Sequence, residues 1–330
     1  MIMCDICEEY HSELDSCFGR DVIEGLSKPQ KELSSKYFYD AKGSDLFNRI
    51  TQLPEYYLTN AETEIIATHG VKMFSMLDNI PFDLYELGCG NSEKTHLLIE
   101  ALYQTKKRFH YHPIDISRTA LLALQDKLSR SFPFLDIDLH EGDYQQLLPV
   151  ISRYGKQKTS VVLFLGASIG NFSRRETIAL LNQLGSGLTT GDLLLIGFDL
   201  KKDIDTLTAA YNDRQGVTRE FNLNLLRRIN TSLGADFDLK KFIHHEIYLP
   251  VEGAMRSYLI STIEQTVQIP KIGLTVKFDA YEPISVERSV KFSLKNIANL
   301  AVETGFHLEE NFLDNREYFV DSLWRRESLM

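Results

Sequence analysis

The sequence has few cysteines, a single tryptophan, no excess of basic residues and no long apolar run. Its 330 residues include 36 lysines and arginines against 46 aspartates and glutamates, which gives a formal net charge of −10. An acidic chain without a basic cluster is poorly suited to bind the phosphate backbone of a nucleic acid, so we expect no nucleic-acid partner. No apolar run approaches the roughly 20 residues that cross a bilayer, and the first ten residues do not resemble a signal peptide. These absences predict a cytoplasmic protein without a membrane partner.

Four cysteines in a chain of this length do not form a disulfide framework. Cys4 and Cys7 form a CxxC pair, with His11 and Cys17 nearby, so either a zinc site or a surface helix with unused thiols is possible there. Structural zinc usually takes two ligand pairs separated by a longer segment, and no second pair follows. We therefore expect no metal ion.

Short apolar strands alternate with amphipathic helices from about residue 83 onward. Such alternation is typical of a parallel, doubly wound α/β sheet. The predicted strands of this sheet are 83–87, 109–114, 136–140, 160–165 and 193–200.

The pattern changes near residue 200, where a mostly helical segment, 201–242, is followed by a hairpin signature at 254–268 and 273–280. A helix at 296–305 and closing strands within 308–324 complete the prediction. We expect a nucleotide-binding core of 62–198 plus 290–330. Residues 1–61 plus 199–289 would form a second, α+β lobe.

A glycine loop follows the first predicted strand. Gly88 and Gly90 allow a tight turn and close approach of a ligand to the backbone. A dinucleotide site would favour a third glycine at position 93, but Glu93 stands there and would repel a pyrophosphate. A plain structural turn is the alternative for a GxG motif without further context.

Polar residues also follow the next two strands. Asp115 ends the second strand, where a carboxylate can accept both ribose hydroxyls, although it could simply cap a helix. Asp143 and Tyr144 follow the third strand after Gly142, where they could bind and cover an adenine, or form an ordinary turn. Ligands of open α/β sheets bind at such strand ends, so the three features together favour S-adenosylmethionine.

A competing motif, GASIG at 166–170, fits the GxSxG of a serine hydrolase with Ser168 as nucleophile. Ser173 and Glu176 form a capping box that delays the next helix to about residue 174, whereas a nucleophile elbow enters its helix almost at once. A hydrolase would also leave the first glycine loop unexplained. Hydrolysis therefore stays the less favoured alternative, with three histidines available downstream: His244, His245 and His307.

Longer motifs are spread along most of the chain: KYFYD at 36–40, GSDLF at 43–47, LPEYY at 53–57, ELGCGNSEKT at 86–95, FLGASIGN at 164–171, AYND at 210–213, GVT at 216–218, ADFDL at 235–239 and ERSVKF at 287–292. From about residue 20 to the C-terminus this set resembles the ergothioneine-pathway L-histidine N-alpha-methyltransferases. The resemblance implies a class I methyltransferase sheet with a second, substrate-binding lobe.

The resemblance also implies roles for matching positions. S-adenosylmethionine would be held by Gly88, Lys94, Asp115, Asp143 and Tyr144, with Lys94 suited to its methionine carboxylate. Asn171 and Tyr211 match positions that hold the substrate carboxylate, and Tyr56 lines the pocket. Glu287 and Ser289 match the pair that recognises the imidazole. Two residues apart on a strand, their side chains leave the same face.

The implied reaction is N-methylation of the α-amine of L-histidine, up to the trimethylated betaine hercynine, by a monomer acting on a small amino acid. No catalytic residue is assigned, since Tyr39, a water molecule or solvent could take the amine proton. Two positions depart from the family pattern: Cys89 in the glycine loop, and Arg288, expected on the opposite face from its neighbours. Another amino acid, such as a tryptophan derivative, is the alternative substrate, as for related fungal enzymes.

Overall fold

The computed structural model describes residues 17–75, 77, 80–90, 93–142, 151 and 158–328. The chain divides into two compact units. The first, here called the α+β unit, comprises Met1–Tyr56 and Asp203–Ser289. The second, the α/β unit, comprises Tyr57–Lys202 and Val290–Met330. Among the described residues, no helix is long and apolar enough to span a membrane.

The helices and strands are numbered in chain order. Residues 17–26 are helical, and the α-helices that follow are α1 (Ala41–Ile50), α2 (Tyr57–Met73), α3 (Glu93–Gln104), α4 (Arg118–Ser131), α5 (Arg174–Gly187), α6 (Ile204–Tyr211), α7 (Val217–Leu233) and α8 (Leu294–Glu303). The strands are β1 (Phe82–Leu87), β2 (Phe109–Asp115), β3 (Asp136–Ile137), β4 (His140–Glu141), β5 (Thr159–Phe164), β6 (Leu193–Asp199), β7 (Phe242–Leu249), β8 (Ala254–Ser261), β9 (Gln265–Ile269), β10 (Leu274–Phe278), β11 (Pro283–Val290), β12 (Phe306–Leu313) and β13 (Phe319–Arg326).

The α/β unit is built on one mixed, mostly parallel sheet with the order β12-β13-β6-β5-β1-β2-β3, and β4 pairs with β2. β1 runs parallel to β2 and β5, and β5 runs parallel to β6. β13 runs antiparallel to both β6 and β12 at one side. β6 is buried along its whole length, as expected of a continuous apolar strand covered on both faces. The predicted doubly wound fold class is confirmed.

Side chains cap the starts of two helices of this unit, one of which was predicted from the sequence. The hydroxyl of Ser117 accepts a hydrogen bond from the backbone N–H of Ala120 at the start of α4. Ser173 and Glu176 form the expected capping box, and α5 begins at Arg174. Both caps satisfy backbone N–H groups of a first helical turn.

The α+β unit contains the three-stranded sheet β11-β8-β7 and the separate hairpin β9-β10. The hairpin was expected, but the prediction of one strand over 254–268 is wrong. The chain leaves the sheet after Ser261, whose hydroxyl donates to the carbonyl of Ile263, 2.7 Å away. The backbone N–H of Thr262 donates to the carbonyl of Lys241. These two bonds end β8, and β9 then pairs with β10 instead.

The helical prediction for 201–242 holds for α6 and α7 but not for its last residues. Gly234 follows α7 with a φ of +70°, a left-handed conformation that ends helices and that glycine adopts without strain. Residue 242 already belongs to β7. The buried core of this unit includes Phe18, Leu226 and Phe278.

Candidate active site

The glycine loop leaves β1 at the edge of the sheet where the strands end. Gly88 and Gly90 have φ values of +73° and +54°, which favour glycine. Among the described residues other than its own chain neighbours, a Cβ atom placed on either glycine would meet no atom within 4 Å. The backbone N–H of Gly88 donates to the carbonyl of Ile114, 2.8 Å away, and ties the loop to the end of β2. The loop therefore offers backbone without side chains, to which a ligand can come close.

Asp115 lies at the end of β2, directly beside this loop. Its Oδ1 accepts from the N–H of Ser117 at 2.9 Å, and its Oδ2 accepts from the N–H of Gly90 at 3.3 Å. Burial raises the pKa of Asp115, and these backbone bonds partly oppose that shift. A carboxylate has about four acceptor sites, so Asp115 can receive two ribose hydroxyls while keeping its backbone bonds.

The third strand end is only partly described. The N–H of Gly142 donates to the carbonyl of Asp115 at 3.0 Å, which brings the end of β4 beside the end of β2. Asp143 and Tyr144, predicted to bind adenine, lie outside the described residues. Cys4, Cys7 and His11 of the possible zinc site also lie outside them.

Lys94, in the first turn of α3, forms an ion pair with Glu62 of α2. The other carboxylate oxygen of Glu62 accepts the N–H of Gly166 at 2.7 Å, although Glu62 and Gly166 are 104 residues apart in the chain. Lys94 is therefore held between the loops that follow β1 and β5. An ammonium has three donors, so it can bind Glu62 and a cofactor carboxylate together.

Glu62 was missed by the sequence-based reasoning. Its side chain is fully buried on α2, among apolar residues such as Leu58 and Ile65. A buried carboxylate is unfavourable unless it is paired. A glutamate inside the apolar face of a helix was the signal that could have identified it.

A second buried carboxylate lies beneath the glycine loop. Glu86 accepts from the hydroxyl of Thr95 at 2.9 Å and from the hydroxyl of Tyr111. Burial raises the pKa of Glu86 to about 7, against the effect of these hydrogen bonds. Glu86 connects β1, β2 and α3, and so fixes the strand ends from which the loop and Asp115 project.

Cys89, one of the departures from the family pattern, is buried between Gly88 and Gly90. Its Sγ lies 3.8 Å from Oδ2 of Asp115. Burial raises the pKa of the thiol, and the neighbouring carboxylates raise it further. Cys89 is therefore a neutral packing residue and not a reactive thiolate.

The segment after β5 carries Ser168 and Asn171 in a short 3-10 helix, Ser168–Asn171. Asn171 is exposed at its end. Within the described part of the chain, no hydrogen bond joins Ser168 to a histidine. His307 is exposed and pairs with Glu327 at 4.0 Å, whereas His244 and His245 lie on β7 of the α+β unit. Among the described hydrogen bonds, none therefore supports a serine hydrolase built on Ser168.

In the α+β unit, Glu287 and Ser289 stand two residues apart on β11, so their side chains leave the strand on one face. The hydroxyl of Ser257, on the neighbouring strand β8, donates to Oε2 of Glu287 at 2.9 Å. Ser257 is fully buried and was not predicted as part of the site. It orients the Glu287 carboxylate.

Arg288 extends toward Glu252, with 3.9 Å between its Nε and Oε2 of that glutamate. Because side chains alternate along a strand, Arg288 leaves β11 on the face opposite its two neighbours. It therefore does not separate the side chains of Glu287 and Ser289.

Tyr56 and Tyr39 both contact the ring of Phe47, with ring centroids 6.1 and 5.4 Å apart. Phe221 of α7 packs against the same ring at 5.9 Å and against Tyr39 at 5.7 Å. Edge-to-face packing of this kind holds aromatic rings in fixed orientations. Phe221 was missed because only the fold brings α7 to these rings.

Tyr211 is the last residue of α6 and is buried. The next residue, Asn212, donates from its side-chain amide to Glu246 at 2.7 Å. Asp213 then accepts the backbone N–H groups of Val217 and Thr218 at 2.9 and 2.7 Å. These contacts fix the chain on the C-terminal side of Tyr211.

The predicted site residues are divided between the two units. The α/β unit holds Gly88, Lys94, Asp115 and Asn171, and the α+β unit holds Tyr56, Tyr211, Glu287 and Ser289. The glycine loop, Asp115 and Lys94 fit a ligand that carries a ribose at one end and a carboxylate at the other. S-adenosylmethionine has both groups, and the class of protein defined by this fold and site is the S-adenosylmethionine-dependent methyltransferases.

The chain belongs to the family of histidine-specific, S-adenosylmethionine-dependent methyltransferases, which it matches over residues 18–326. It is 37% identical over 288 residues to a histidine N-alpha-methyltransferase of Mycobacterium tuberculosis, covering 87% of this chain and 88% of that protein. It is 30% identical to ergothioneine biosynthesis protein 1 of Schizosaccharomyces pombe, covering 91% of this chain and 39% of the relative. Among solved structures, the CcbJ methyltransferase of Streptomyces caelestis is 14% identical, with a TM-score of 0.45, over 80% of this chain and 90% of that one.

Proposed function

We propose that this enzyme transfers methyl groups from S-adenosylmethionine to the α-amine of L-histidine, up to the trimethylated betaine hercynine. The observation that carries this proposal is the pair Glu287 and Ser289 on one face of β11, with Ser257 bonded to the glutamate. A carboxylate oriented in this way can accept a hydrogen bond from an imidazole N–H. The hydroxyl of Ser289 can bond the second ring nitrogen as donor or acceptor, according to its tautomer.

The other end of the substrate would be held by Asn171 and Tyr211, whose amide and hydroxyl groups can donate to its carboxylate. Tyr56 would close the side of the pocket from its position against Phe47. Binding at both ends leaves the amine between them in a defined orientation. Orientation of this kind supplies much of the acceleration of a group transfer.

On the cofactor side, we propose that the five predicted residues bind S-adenosylmethionine: Gly88, Lys94, Asp115, Asp143 and Tyr144. The bound cofactor supplies a methyl group on a sulfonium, which becomes a neutral thioether after transfer. No strong acid is therefore needed for the leaving group. The residues of this chain hold the reactants in line and keep the Lys94 ammonium beside Glu62 for the methionine carboxylate.

The names of the relatives support histidine as substrate, since the mycobacterial protein is a histidine N-alpha-methyltransferase and the fission-yeast protein belongs to ergothioneine biosynthesis.

We also propose that the protein acts as a monomer, because one chain carries every residue assigned to the two substrates. Light scattering after size-exclusion chromatography measures that state.

A screen of the free amino acids with labelled S-adenosylmethionine tests the proposed function. We expect methyl transfer to histidine and a product whose mass has increased by three methyl groups. Transfer to tryptophan or a tryptophan derivative, without transfer to histidine, would show that histidine is not the substrate. The protein would still be an amino-acid N-methyltransferase. Cofactor binding without transfer to any amino acid would mean that the chain is a binding module.

A further inference from the structure

A second group of polar side chains lies near the other end of the strands from the glycine loop. Asp83 of β1 and His110 of β2 are partners in the parallel register, and His112 is two residues further along β2. The three side chains therefore leave the same face of the sheet. One possible ligand atom from each lies within 4.8 Å of the other two. None of these residues has a role in the proposed methyl transfer.

This group is enclosed in the protein. The side chains of Asp83 and His112 are 5% and 1% exposed, and that of His110 is 24% exposed. The Nε2 atom of His110 is itself buried and, although Oδ2 of Asp138 lies 3.3 Å away, it forms no hydrogen bond of acceptable geometry with any described residue. Buried polar atoms in folded proteins normally have a partner. An imidazole nitrogen in this position is suited to a metal ion.

A third histidine, His140, contacts this group from outside and can orient it. Nε2 of His140 lies 3.2 Å from Nδ1 of His112, so one hydrogen atom is shared between the two rings. The Nε2 of His112 lies 3.8 Å from Oδ1 of Asp83, and a metal ion would take the place of that contact while Nδ1 donates to His140. Metal-ligating histidines commonly donate their second N–H to such a partner, which fixes the tautomer and the ring orientation.

We propose that Asp83, His110 and His112 bind a divalent transition-metal ion, with Zn²⁺ as the preferred ion. Two imidazoles and one carboxylate form a common ligand set for zinc, whereas magnesium and calcium favour oxygen ligands alone. With bonds of about 2.0–2.2 Å, tetrahedral ligand atoms stand about 3.4 Å apart, so ligand atoms that now lie within 4.8 Å of one another need to close by up to about 1.4 Å. Asp138, whose Oδ2 is 3.3 Å from Nε2 of His110, can supply the fourth ligand.

One cation already approaches this group. Nζ of Lys158 lies 3.6 Å from Oδ1 of Asp83, and its side chain is 47% exposed. An ion pair with a partner this exposed is weak, so the ammonium can move into solvent when a metal ion binds. The bound ion would join β1 and β2 and stabilise the folded state, because the unfolded chain does not hold these ligands together.

The test uses the untagged full chain with Cys4→Ser and Cys7→Ser, which removes the CxxC thiols as a competing site. After chelator treatment, Zn²⁺ alone is titrated by calorimetry, and Co²⁺ alone is followed by visible absorption. We expect one ion per chain, a Co²⁺ spectrum of low coordination number and a higher melting temperature with Zn²⁺. His110→Ala should abolish all three signals, and His140→Phe should weaken binding about 10- to 100-fold.

His307→Ala serves as the matched control, because His307 is an exposed histidine on β12 of the same unit. It should leave binding unchanged. The proposal is overturned if the parent protein binds no ion, or if binding persists unchanged in His110→Ala. These readouts are independent of methyl transfer, so the proposed function and the metal site can fail separately.

Discussion

At the scale of single residues, substrate choice depends on how Glu287 is held. Ser257 is buried on the neighbouring strand and donates to one carboxylate oxygen, which limits the rotation of the Glu287 side chain. A histidine ring can donate to this carboxylate. An apolar side chain would cover the carboxylate without donating to it, at a cost in desolvation.

We therefore expect Glu287→Ala to lower kcat/KM for histidine while narrowing the difference between histidine and leucine or phenylalanine. A hydrogen bond to a charged group is worth about 1.5–3 kcal/mol. At about 1.4 kcal/mol per factor of ten, the loss is roughly ten- to a hundredfold. Steady-state kinetics with each amino acid measures the loss and the change in selectivity.

Glu264→Ala is the control for removal of a glutamate from the same unit, because Glu264 is exposed in the turn between β8 and β9. It should leave both quantities unchanged. Unchanged histidine kinetics in Glu287→Ala would show that Glu287 does not contact the substrate, and the histidine assignment would lose its main physical support.

At the scale of elements, the start of α7 positions the segment that carries Tyr211. Burial tends to raise the pKa of Asp213, but the N–H groups of Thr218 and Val217 outweigh this and hold it below the usual value. The negative charge also lies at the positive end of the helix. Asp213 thus links the first turn of α7 to the chain directly after α6.

Asp213→Ala should lower the free energy of unfolding by about 0.5–2 kcal/mol, because two backbone N–H groups lose their acceptor. It should also raise KM for histidine through displacement of Tyr211. Asp213→Asn keeps an acceptor oxygen, so its free energy of unfolding and its KM for histidine should stay close to those of the parent protein. Urea unfolding and steady-state kinetics measure the two effects.

Asp205→Ala, an exposed acid in the first turn of α6, is the control and should have little effect on either quantity. If Asp213→Asn loses as much stability and histidine binding as Asp213→Ala, then the acceptor oxygen at position 213 does not hold the segment in place. The link between the cap and substrate binding would then be wrong.

At the scale of the whole molecule, buried histidine makes stability depend on pH. The side chain of His244 on β7 is 2% exposed. Burial lowers the pKa of His244 to about 4, and the neighbouring His245 adds to the shift. In the unfolded chain the same histidine has a pKa near 6.5. Between these two values the unfolded chain binds more protons than the folded one, so stability falls as the pH is lowered.

We expect this residue to remove up to about 3 kcal/mol of stability between pH 6.5 and pH 4. His244→Gln should make the free energy of unfolding less dependent on pH over that range. Urea unfolding should be followed by circular dichroism, which reports on the backbone of both units, because the single tryptophan, Trp324, belongs to the α/β unit and His244 to the α+β unit.

His307→Gln replaces an exposed histidine and should keep the pH dependence of the parent protein. If His244→Gln shows the same pH dependence as the parent, then His244 is protonated equally in the folded and unfolded chains. The lowered pKa would then be wrong.

The sequence by itself determined the features that depend on neighbouring residues. The glycine loop after β1, Asp115 at the end of β2 and the capping box of α5 lie where they were predicted. The hairpin predicted from the alternating segments 254–268 and 273–280 is also present, as β9-β10. Positive φ values, helix caps and the period of apolar residues are properties of short segments, so they can be recognised before the fold is known.

Only the tertiary structure decided which distant residues become partners. Glu62 holds Lys94 and Gly166, Ser257 orients Glu287, and His110 meets Asp83. The end of β8 at Ser261 was also missed, since it depends on a bond from Thr262 to Lys241. Each of these contacts joins segments from different parts of the chain. A buried charge or imidazole needs a partner, but local sequence carries no distance between elements, so the identity of that partner emerges only when the elements pack.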